Sequence, residues 1–261
     1  MGSAKKIARG ALWNTMANIV NGIYGFISVP LLIAYFGKSN YGLIGLALSV
    51  NVYLNLMDMG LNSTNIRFFS NWLAQGDQNN VNKLFGTSMS FYGVVGLLNA
   101  IIMFVVGLFS QSIFHLNVEQ GTILMHLFFI LAISAFISWY SSCFDQLIQA
   151  NEYVGWTNQV KLLAKLLQCV ILILTLTLKL NIETFYALTT FSMFIVIPFC
   201  VQKIRKLCPY IKFRPHFDKK IFKEILPYSI NIFSFGIRVS NLLYSFLSRK
   251  YVSAFHHRVW F

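Results

Sequence analysis

Residues 32–77 read LIAYFGKSNYGLIGLALSVNVYLNLMDMGLNSTNIRFFSNWLAQGD, and they contain the pattern from which the fold can be inferred. One apolar segment ends at the polar turn 37–40, a second covers 41–65, and Gly76 begins the next polar connection. A helix needs about 20 mostly apolar residues to cross a bilayer. Both apolar segments therefore predict transmembrane helices that a short turn joins.

The same alternation continues along the whole chain. Apolar residues make up 56% and charged residues 11% of the 261 positions, whereas a soluble domain carries about a quarter charged residues. So few charges cannot form a polar surface, which excludes an ordinary soluble protein. The predicted fold class is all-α, a polytopic transmembrane helix bundle. The predicted spans are 10–36, 41–65, 84–109, 122–148, 156–178, 184–206 and 225–247.

These spans divide the chain into four parts. We expect an N-terminal transmembrane lobe over 1–206, a basic cytoplasmic connection over 207–224 and a seventh transmembrane helix over 225–247. Residues 248–261 form a basic and aromatic tail. The first apolar segment is too long for the apolar part of a signal peptide, so we expect it to remain as the first of about six helices in the lobe.

Lysine and arginine gather on alternate connections. One side carries fifteen of them: Lys5, Lys6, Arg9, Arg67, Lys83, Lys161, Lys165, Lys203, Arg205, Lys206, Lys212, Arg214, Lys219, Lys220 and Lys223. The other side carries Lys38 and Lys179 before the seventh span. The positive-inside rule places the first side, with the N-terminus, in the cytoplasm. Because the basic residues are confined to short connections, the net charge of +13 predicts contact with anionic lipid headgroups and not with nucleic acid.

Polar residues inside three spans recur at helical spacing and therefore lie on one face of each helix. They are Asn14, Asn18 and Asn21 in the first span, Asn51, Asn55, Asp58 and Asn62 in the second, and Asn231, Ser234, Arg238, Asn241 and Ser245 in the seventh. Such residues either bond neighbouring helices or line a water-filled cavity. Both interpretations stay open for the first two spans, and the arginine favours a cavity for the seventh.

Arg238 has the most demanding position of any charged residue. It follows Leu226 by about 18 Å of helix, which places it near the middle of the bilayer. An arginine there costs about 2.5–3.5 kcal/mol even on the milder insertion scale. That cost predicts a partner, either a carboxylate or an anionic ligand that the guanidinium group binds.

Three further charged residues, Asp58, Lys161 and Lys165, are candidates for gating or ion coupling. Asp58 lies about 25 Å along the second span from its external start, near the cytoplasmic boundary, where a salt bridge, a helix-end role and a gate all stay open. Asp145 has a similar depth in the fourth span, and a structural role is favoured there. The two lysines share one face of the fifth span, where they extend to the headgroups or form the inner rim of a basic cavity.

The sequence predicts no cofactor, no metal site and no enzyme. Cys143, Cys169, Cys200 and Cys208 lie in or beside predicted spans without metal-ligand spacing, which favours buried thiols. His126, inside the fourth span, is either a packed side chain or a proton relay, and packing is favoured. Nucleotide-binding, hydrolase and metalloprotease motifs do not occur in the sequence.

Three motifs in the opening stretch are recognisable: Phe36-Gly37 before Tyr41-Gly42, then Asp58-Met59-Gly60-Leu61, then Arg67-Phe68-Phe69. KKIARGALWNTMANIV at 5–20 and FKEILPYSINIFSFG at 222–236 belong to the same pattern. Together they resemble the bacterial polysaccharide-export flippases of the multidrug/oligosaccharidyl-lipid/polysaccharide exporter superfamily. The resemblance covers most of the chain, and its motifs are moderately specific.

This resemblance implies two lobes around a central cavity, of which the chain supplies the first six-helix lobe and a seventh helix. It implies that an undecaprenyl-diphosphate-linked oligosaccharide, as in O-antigen and lipopolysaccharide synthesis, crosses the bacterial inner membrane to the external leaflet. Na⁺ or H⁺ is then the candidate coupling ion, and glycan-assembly enzymes are candidate partners. Basic cavity residues of the family are held to bind the diphosphate, and Arg238 matches that role in chemistry and depth. The candidate substrate-binding residues are Arg238, Asn231, Asn241, Asn18, Asn21, Asn51 and Asn55.

The tail departs from the family pattern. Arg249, Lys250 and Arg258 follow the seventh span on the side that should be external, which violates the positive-inside rule. A truncated product or a shifted reading frame explains this observation. A half-size protein that assembles as a dimer is the competing explanation.

Two other functions stay open beside the flippase. A multidrug exporter of the same superfamily binds cations through intramembrane carboxylates, and Asp58 and Asp145 are the only residues here that qualify. A membrane enzyme of polysaccharide assembly needs a catalytic histidine, an arginine pair or a long external loop. The longest connection here is basic and predicted to be cytoplasmic, which argues against the enzyme.

Overall fold

The computed structural model describes residues 3–235 and Arg238, with side chains described from residue 10 onward. These residues form helices and no strand, which confirms the all-α prediction. The helices are α1 Ser3–Phe36, α2 Lys38–Leu54, α3 Leu61–Ala74, α4 Gln78–Leu108, α5 Ser110–Ile113, α6 Val118–Ala150, α7 Val154–Leu178, α8 Ile182–Ser192 and α9 Val196–Leu207. A further helix covers 219–235.

The described helices give five candidate membrane spans, or six if one bent pair counts as a span. The five are Gly10–Phe36, Gln78–Leu108, Val118–Ala150, Val154–Leu178 and Ile182–Leu207. The pair consists of Lys38–Asp58 and Leu61–Ala74, which meet at a bend of 43°. Five of the seven predicted spans are thereby confirmed, the second corresponds to the bent pair, and the chain is a multi-pass membrane protein. The seventh, predicted over 225–247, is helical through 235, and most of the remainder lies outside the described residues.

Side chains in the polar turns cap the N-terminal ends of three of these helices. Asp77 accepts a hydrogen bond from the backbone N–H of Asn80 at the start of α4. Asn117 accepts one from the N–H of Gln120 at the start of α6. Asn181 does the same for α8. Each cap satisfies one of the N–H groups that a helix leaves without an internal partner.

The second span differs from its prediction. Its helix does not run straight through 41–65, because a 3₁₀ turn over Asn55–Asp58 is followed by Met59 at φ 49° and Gly60 at φ 76°. Both residues are in the left-handed region, which interrupts an α-helix. The polar residues before and after the break therefore lie on two helices that differ in direction. The span also continues to Ala74, nine residues beyond its predicted end.

The reason for the break lies in the helix over 219–235. Ser229 donates a hydrogen bond from its hydroxyl to the carbonyl oxygen of Met59 at 2.6 Å. A Cβ atom on Gly60 would lie 2.9 Å from the carbonyl oxygen of Ser229. Only glycine permits both the left-handed backbone and this close approach. The helix over 219–235 thus packs directly against the bend of the second span.

Helix α6 lies at the centre of the lobe and packs against α2 to α5 and α7 to α9. Glycines allow α4 to approach it closely, because Cβ atoms on Gly96 and Gly107 would lie 2.9 Å from the Cβ atoms of Trp139 and Phe128. The central face of α6 is buried, whereas the outer faces of the lobe expose large apolar side chains such as Phe26 and Ile133. This is the arrangement that a lipid solvent favours.

The two ends of the lobe carry different charges. The C-terminal ends of α3, α6 and α9 meet the N-terminal ends of α4 and α7, as the bond from Ser70 Oγ to the Ala150 carbonyl shows. The basic residues from Arg67 to Lys223, apart from Lys179, belong to this half of the lobe. Lys38 and Lys179 lie at the opposite end, where Ser39 accepts a bond from Gln120. The predicted segregation of charge is thus present in the described part of the fold.

The connection after α9 is shorter than expected. The helix resumes at 219, within the predicted connection 207–224, and residues 208–218 form a non-helical segment with a turn at 209–210, which we call the strap. Its first residue, Cys208, is buried and accepts a hydrogen bond from Asn151. Cys143 and Cys200 are also buried and Cys169 is partly buried, and all four are free thiols, as predicted.

Replacing Gly60 with alanine is expected to lower the melting temperature of the protein in detergent micelles. Alanine in a left-handed conformation costs about 1–2 kcal/mol, and its Cβ atom would also press on the Ser229 carbonyl. Gly42→Ala is the matched control, because nothing lies within 4 Å of its added Cβ atom. Equal melting temperatures for the two variants would contradict the packing described for the bend.

Candidate functional site

A polar cavity of about 380 Å³ opens between the bend of the second span, helix α6 and helix α7. Its wall is formed by Asn55, Asp58, Asn62, Ser138, Trp139, Ser142, Asp145, Gln146, Gln149 and Lys161. Polar groups in a membrane span are expensive unless they face protein or water. Their convergence on one cavity makes it the candidate functional site.

Helix α6 contributes most of the wall. Ser138, Ser142, Asp145 and Gln149 are spaced four, three and four residues apart, so they lie on one face of the helix. The sequence analysis used this spacing in three other spans but missed it in the fourth. The same signal would have identified these residues, because the pattern is as regular as the one in the second span.

Two smaller cavities share lining residues with the polar cavity. One of about 180 Å³ extends between α6 and α9 and shares Ser138, Ser142, Asp145 and Lys161. The other, of about 270 Å³, shares Gln149 and is also lined by Asn14 and Asn158. The polar surface therefore continues from the second span past α6 to the N-terminal helix. Of the three asparagines in the stripe of the first span, Asn14 reaches this surface, although only Asn18 and Asn21 were predicted to bind substrate.

An ion pair crosses the wall of the cavity. Lys161 Nζ lies 2.5 Å from a carboxylate oxygen of Asp145, and their side chains are 44% and 25% exposed. The sequence analysis left open whether Lys161 extends to headgroups or rims a basic cavity. In the structure it lines the cavity, but the neighbouring carboxylate balances its charge. The second oxygen of Asp145 is buried and has no hydrogen-bond partner among the described residues.

Asp58 ends a chain of hydrogen bonds that crosses three spans, which we call the Asp58 chain. Asn65 donates to Gln146 at 3.0 Å, Gln146 donates to the hydroxyl of Tyr92 at 2.9 Å, and Tyr92 donates to Asp58 at 3.0 Å. The backbone N–H of Asn62 donates to the other carboxylate oxygen at 3.2 Å. Each donor points toward Asp58, so the dipoles of the chain add at its carboxylate.

The Asp58 chain combines the two roles that the sequence left open for the polar stripes, which are bonding between neighbouring helices and lining of a cavity. Its members bond neighbouring helices, since Asn65, Tyr92 and Gln146 belong to α3, α4 and α6. Asp58 and Gln146 also line the cavity. Tyr92, Asn65 and Gln146 are at most 1% exposed, so the chain is a buried support beneath the cavity wall. Sequence reasoning missed these three residues. Asn65 continues the stripe of the second span three residues after Asn62, a signal that was left unused, whereas Tyr92 and Gln146 belong to none of the predicted stripes.

The other predicted residues lie elsewhere. Lys165 donates to Gln168 at 2.8 Å and lies over the ring of Tyr24 at 4.4 Å. Asn18 and Asn21 are exposed on α1, and Asn51 is partly exposed on α2; none of the cavities described above includes them. Asn231 and Arg238 are exposed on the last helix, and Asn241 lies outside the described residues.

The histidine of the fourth span has a partner that spacing alone did not predict. His126 Nδ1 lies 3.0 Å from a carboxylate oxygen of Glu183, at the end of the lobe opposite the strap. Both side chains are partly exposed. Among the described residues, no group of three metal-ligating side chains converges.

Known proteins resemble the chain at the levels of family and fold. The model of a protein family described as polysaccharide biosynthesis protein matches residues 7–256. No curated protein sequence matches. The chain is similar to an outward-facing multidrug resistance MATE family transporter of the MOP superfamily, with 17% identity and a TM-score of 0.71. It is also similar to a MOP superfamily transporter from Pyrococcus furiosus, with 16% identity and a TM-score of 0.71.

The crystal structure of a MATE protein in complex with MaD3S has 16% identity and a TM-score of 0.67. The alignments with the first two structures cover 91% of this chain and 54% of those chains, and the third covers 55% of its chain. The chain therefore spans about half the length of these transporters. At such low identity the likeness is one of fold.

Replacing Gln146 with leucine is expected to lower the melting temperature, because it removes the central link of the Asp58 chain. Leaving a buried polar group without its partner costs about 1–3 kcal/mol. Gln149→Leu is the matched control, since it changes the same residue type one turn further along α6 at a partly exposed position. If the two variants unfold at the same temperature, the buried chain does not support the fold.

Proposed function

The chain belongs to the polysaccharide biosynthesis protein family, and from this premise we propose that it is a membrane exporter for an undecaprenyl-diphosphate-linked oligosaccharide. The polar cavity is the observation that carries this proposal. Its wall offers amide, hydroxyl, carboxylate and ammonium groups, which donate and accept hydrogen bonds as sugar hydroxyls require. Trp139 adds an aromatic surface to the same wall, as ligand sites commonly do.

The depth of the cavity supports entry from the basic end of the lobe. Asp145 is five residues from the end of α6, which corresponds to about 7.5 Å along the helix. The positive-inside rule makes that end cytoplasmic, in the inner membrane of a bacterium. A glycan head group that is made in the cytoplasm then meets the cavity first, and the external leaflet is the destination.

The diphosphate needs a cation that no carboxylate neutralises. Lys161 is paired with Asp145, so the cavity wall is a poor diphosphate site. Arg238 is helical and exposed, and its guanidinium group binds phosphate in a bidentate manner. We assign the diphosphate to Arg238, with Asn231 and Asn241, which share its spacing in the sequence, as further candidate contacts.

The remaining candidate residues fit the same proposal. The exposed amides of Asn18 and Asn21 and the partly exposed amide of Asn51 extend the polar surface on which a long glycan slides. Asp58 lies at the bend of the second span and faces the cavity, which suits a residue that couples transport to Na⁺ or H⁺. Lys165 is a less direct candidate for gating. Glycan-assembly enzymes supply the substrate, and membrane lipids surround the protein.

Export of a cationic small molecule is the second candidate function, and one observation favours it. Within the described part of the chain, the cavity wall contains two carboxylates, Asp58 and Asp145, but a single lysine. A cavity with excess negative charge attracts cations. The family match and the predicted role of Arg238 favour the glycan.

Arg238→Ala at the chromosomal locus is expected to abolish most surface polysaccharide, because the diphosphate loses its cation. Arg238→Lys is expected to retain part of the export, since lysine keeps the charge but not the bidentate geometry. Arg205→Ala, which changes an exposed arginine outside the cavity, is the control for protein abundance. Normal export by a well-expressed Arg238→Ala variant would contradict the assignment.

Asp58→Asn separates the two candidate functions. For the glycan exporter we expect lower surface polysaccharide and no change in the efflux of a cationic dye. For a cation exporter we expect lower efflux of the dye and normal surface polysaccharide, because the excess negative charge of the cavity is removed. Both assays use the same cells, and Asn62→Ala serves as a control that keeps the charge of the wall. Loss of dye efflux with normal polysaccharide would overturn the glycan proposal.

A further inference from the structure

The strap is anchored to helix α4 through its backbone. Asn82 donates to the carbonyl oxygen of Tyr210 and accepts from the N–H of Lys212, both at 2.9 Å. The N–H of His216 donates to the carbonyl oxygen of Gly86 at 3.2 Å. A Cβ atom on Gly86 would lie 3.1 Å from the carbonyl oxygen of His216. The strap therefore lies tightly on the helix and has a defined conformation.

Side chains alternate between the inner and outer faces over residues 211–214 of the strap. Ile211 is buried, and Phe213 packs against the rings of Phe85 and Phe144 with centroids 5.6 and 6.0 Å away. Lys212 and Arg214, the alternate residues, are exposed. Burial of the two apolar side chains thus directs the two basic side chains outward.

The outward basic groups have no acidic partner in the described part of the chain. The ion pairs among the described residues involve Lys83, Lys161 and His126, and neither Lys212 nor Arg214 takes part in one. Asp218 is the nearest acidic residue along the strap, and hydrogen bonds from the backbone N–H groups of Ile221 and Lys220, together with Lys83, lower its pKa. Its carboxylate is therefore used by the start of the last helix and by Lys83.

The length of α4 places the strap at the edge of the hydrocarbon core. Helix α4 has 31 residues and is about 46 Å long, so when centred it extends beyond the 30 Å hydrocarbon core by about 8 Å at each end. The strap contacts residues 82–87, which lie about 6–14 Å from the end of the helix and therefore cross the edge of the core. Aromatic residues that prefer the membrane interface share this end; they include Trp72, Tyr153, Trp156, Tyr210 and Tyr228.

We propose that the strap is a binding site for the headgroup of an anionic phospholipid, with Lys212 and Arg214 contacting its phosphate. The anchors hold the backbone that carries the two cations, so little backbone entropy is lost when a headgroup binds. A nucleic acid is a poorer match, because a rigid duplex cannot follow basic groups at the edge of a bilayer. The site is separate from the polar cavity, so the proposal does not depend on the exported substrate.

The test compares lipid binding to the full chain purified in detergent micelles. Native mass spectrometry with added dioleoyl phosphatidylglycerol or dioleoyl phosphatidylcholine measures the affinity for each lipid. We expect the wild type to prefer phosphatidylglycerol. The Lys212→Gln/Arg214→Gln variant is expected to bind it about 30-fold more weakly, at about fivefold for each charge removed.

The matched control is Lys38→Gln/Lys179→Gln, which removes two charges at the opposite end of the lobe and is expected to leave the affinity unchanged. Melting temperatures without lipid verify that each variant folds. If the double variant unfolds, the single variants Lys212→Gln and Arg214→Gln provide the second test, and a loss of about fivefold is expected for each.

Three results would overturn the proposal. They are equal binding of the two lipids by the wild type, undiminished binding of phosphatidylglycerol by the folded strap variant, and an equal loss in the opposite-end control. Displacement of the lipid by inorganic phosphate or by RNA at a comparable concentration would also overturn it, because the site would then recognise a free phosphate or a nucleic acid.

Discussion

The constraint on which the rest of the structure depends is that lipid offers no hydrogen bonds to a broken helix. The second span breaks at Met59 and Gly60, and the groups exposed there must find partners inside the protein. Asp58 accepts the N–H of Asn62, and the hydroxyl of Ser229 satisfies the carbonyl of Met59. The Asp58 chain then fixes the carboxylate against α4 and α6. A polar cavity beside this bend is a consequence of how the break is satisfied.

The bend brings together parts of the molecule that are distant in sequence: the second span, the helix over 219–235, and the strap on α4. The helix over 219–235 packs on Gly60, and the strap that precedes it is fastened to α4. A movement of the helix over 219–235 would therefore shift the bend. Two residues of the cavity wall, Asp58 and Asn62, lie at this bend. In our proposal, the same seventh helix carries the arginine that binds the diphosphate, so substrate binding and the shape of the cavity are mechanically linked.

Periodicity predicted the spans and the segregation of charge, because both depend on residues that are close in sequence. It could not predict the Asp58 chain, whose bond between Tyr92 and Gln146 joins positions 54 residues apart, or the bond from Ser229 to Met59 across 170 residues. Gly60 was a local signal for the bend, and the stripe from Ser138 to Gln149 a local signal for the cavity. The pairing of Lys161 with Asp145 could not be predicted from the sequence, because Lys161 was equally compatible with a headgroup contact.

We propose that the glycan crosses the membrane along the polar cavity. Photo-crosslinking tests it most directly, with benzoylphenylalanine placed at Ser142 in the cavity wall or at Ile133, which is 57% exposed on the outer face of α6. Irradiation of cells, followed by detection of glycan on the purified protein, reports contact with the substrate. The account predicts a glycan-bearing adduct at position 142 and none at position 133. An adduct at position 133 alone, or equal adducts at both positions, would contradict it.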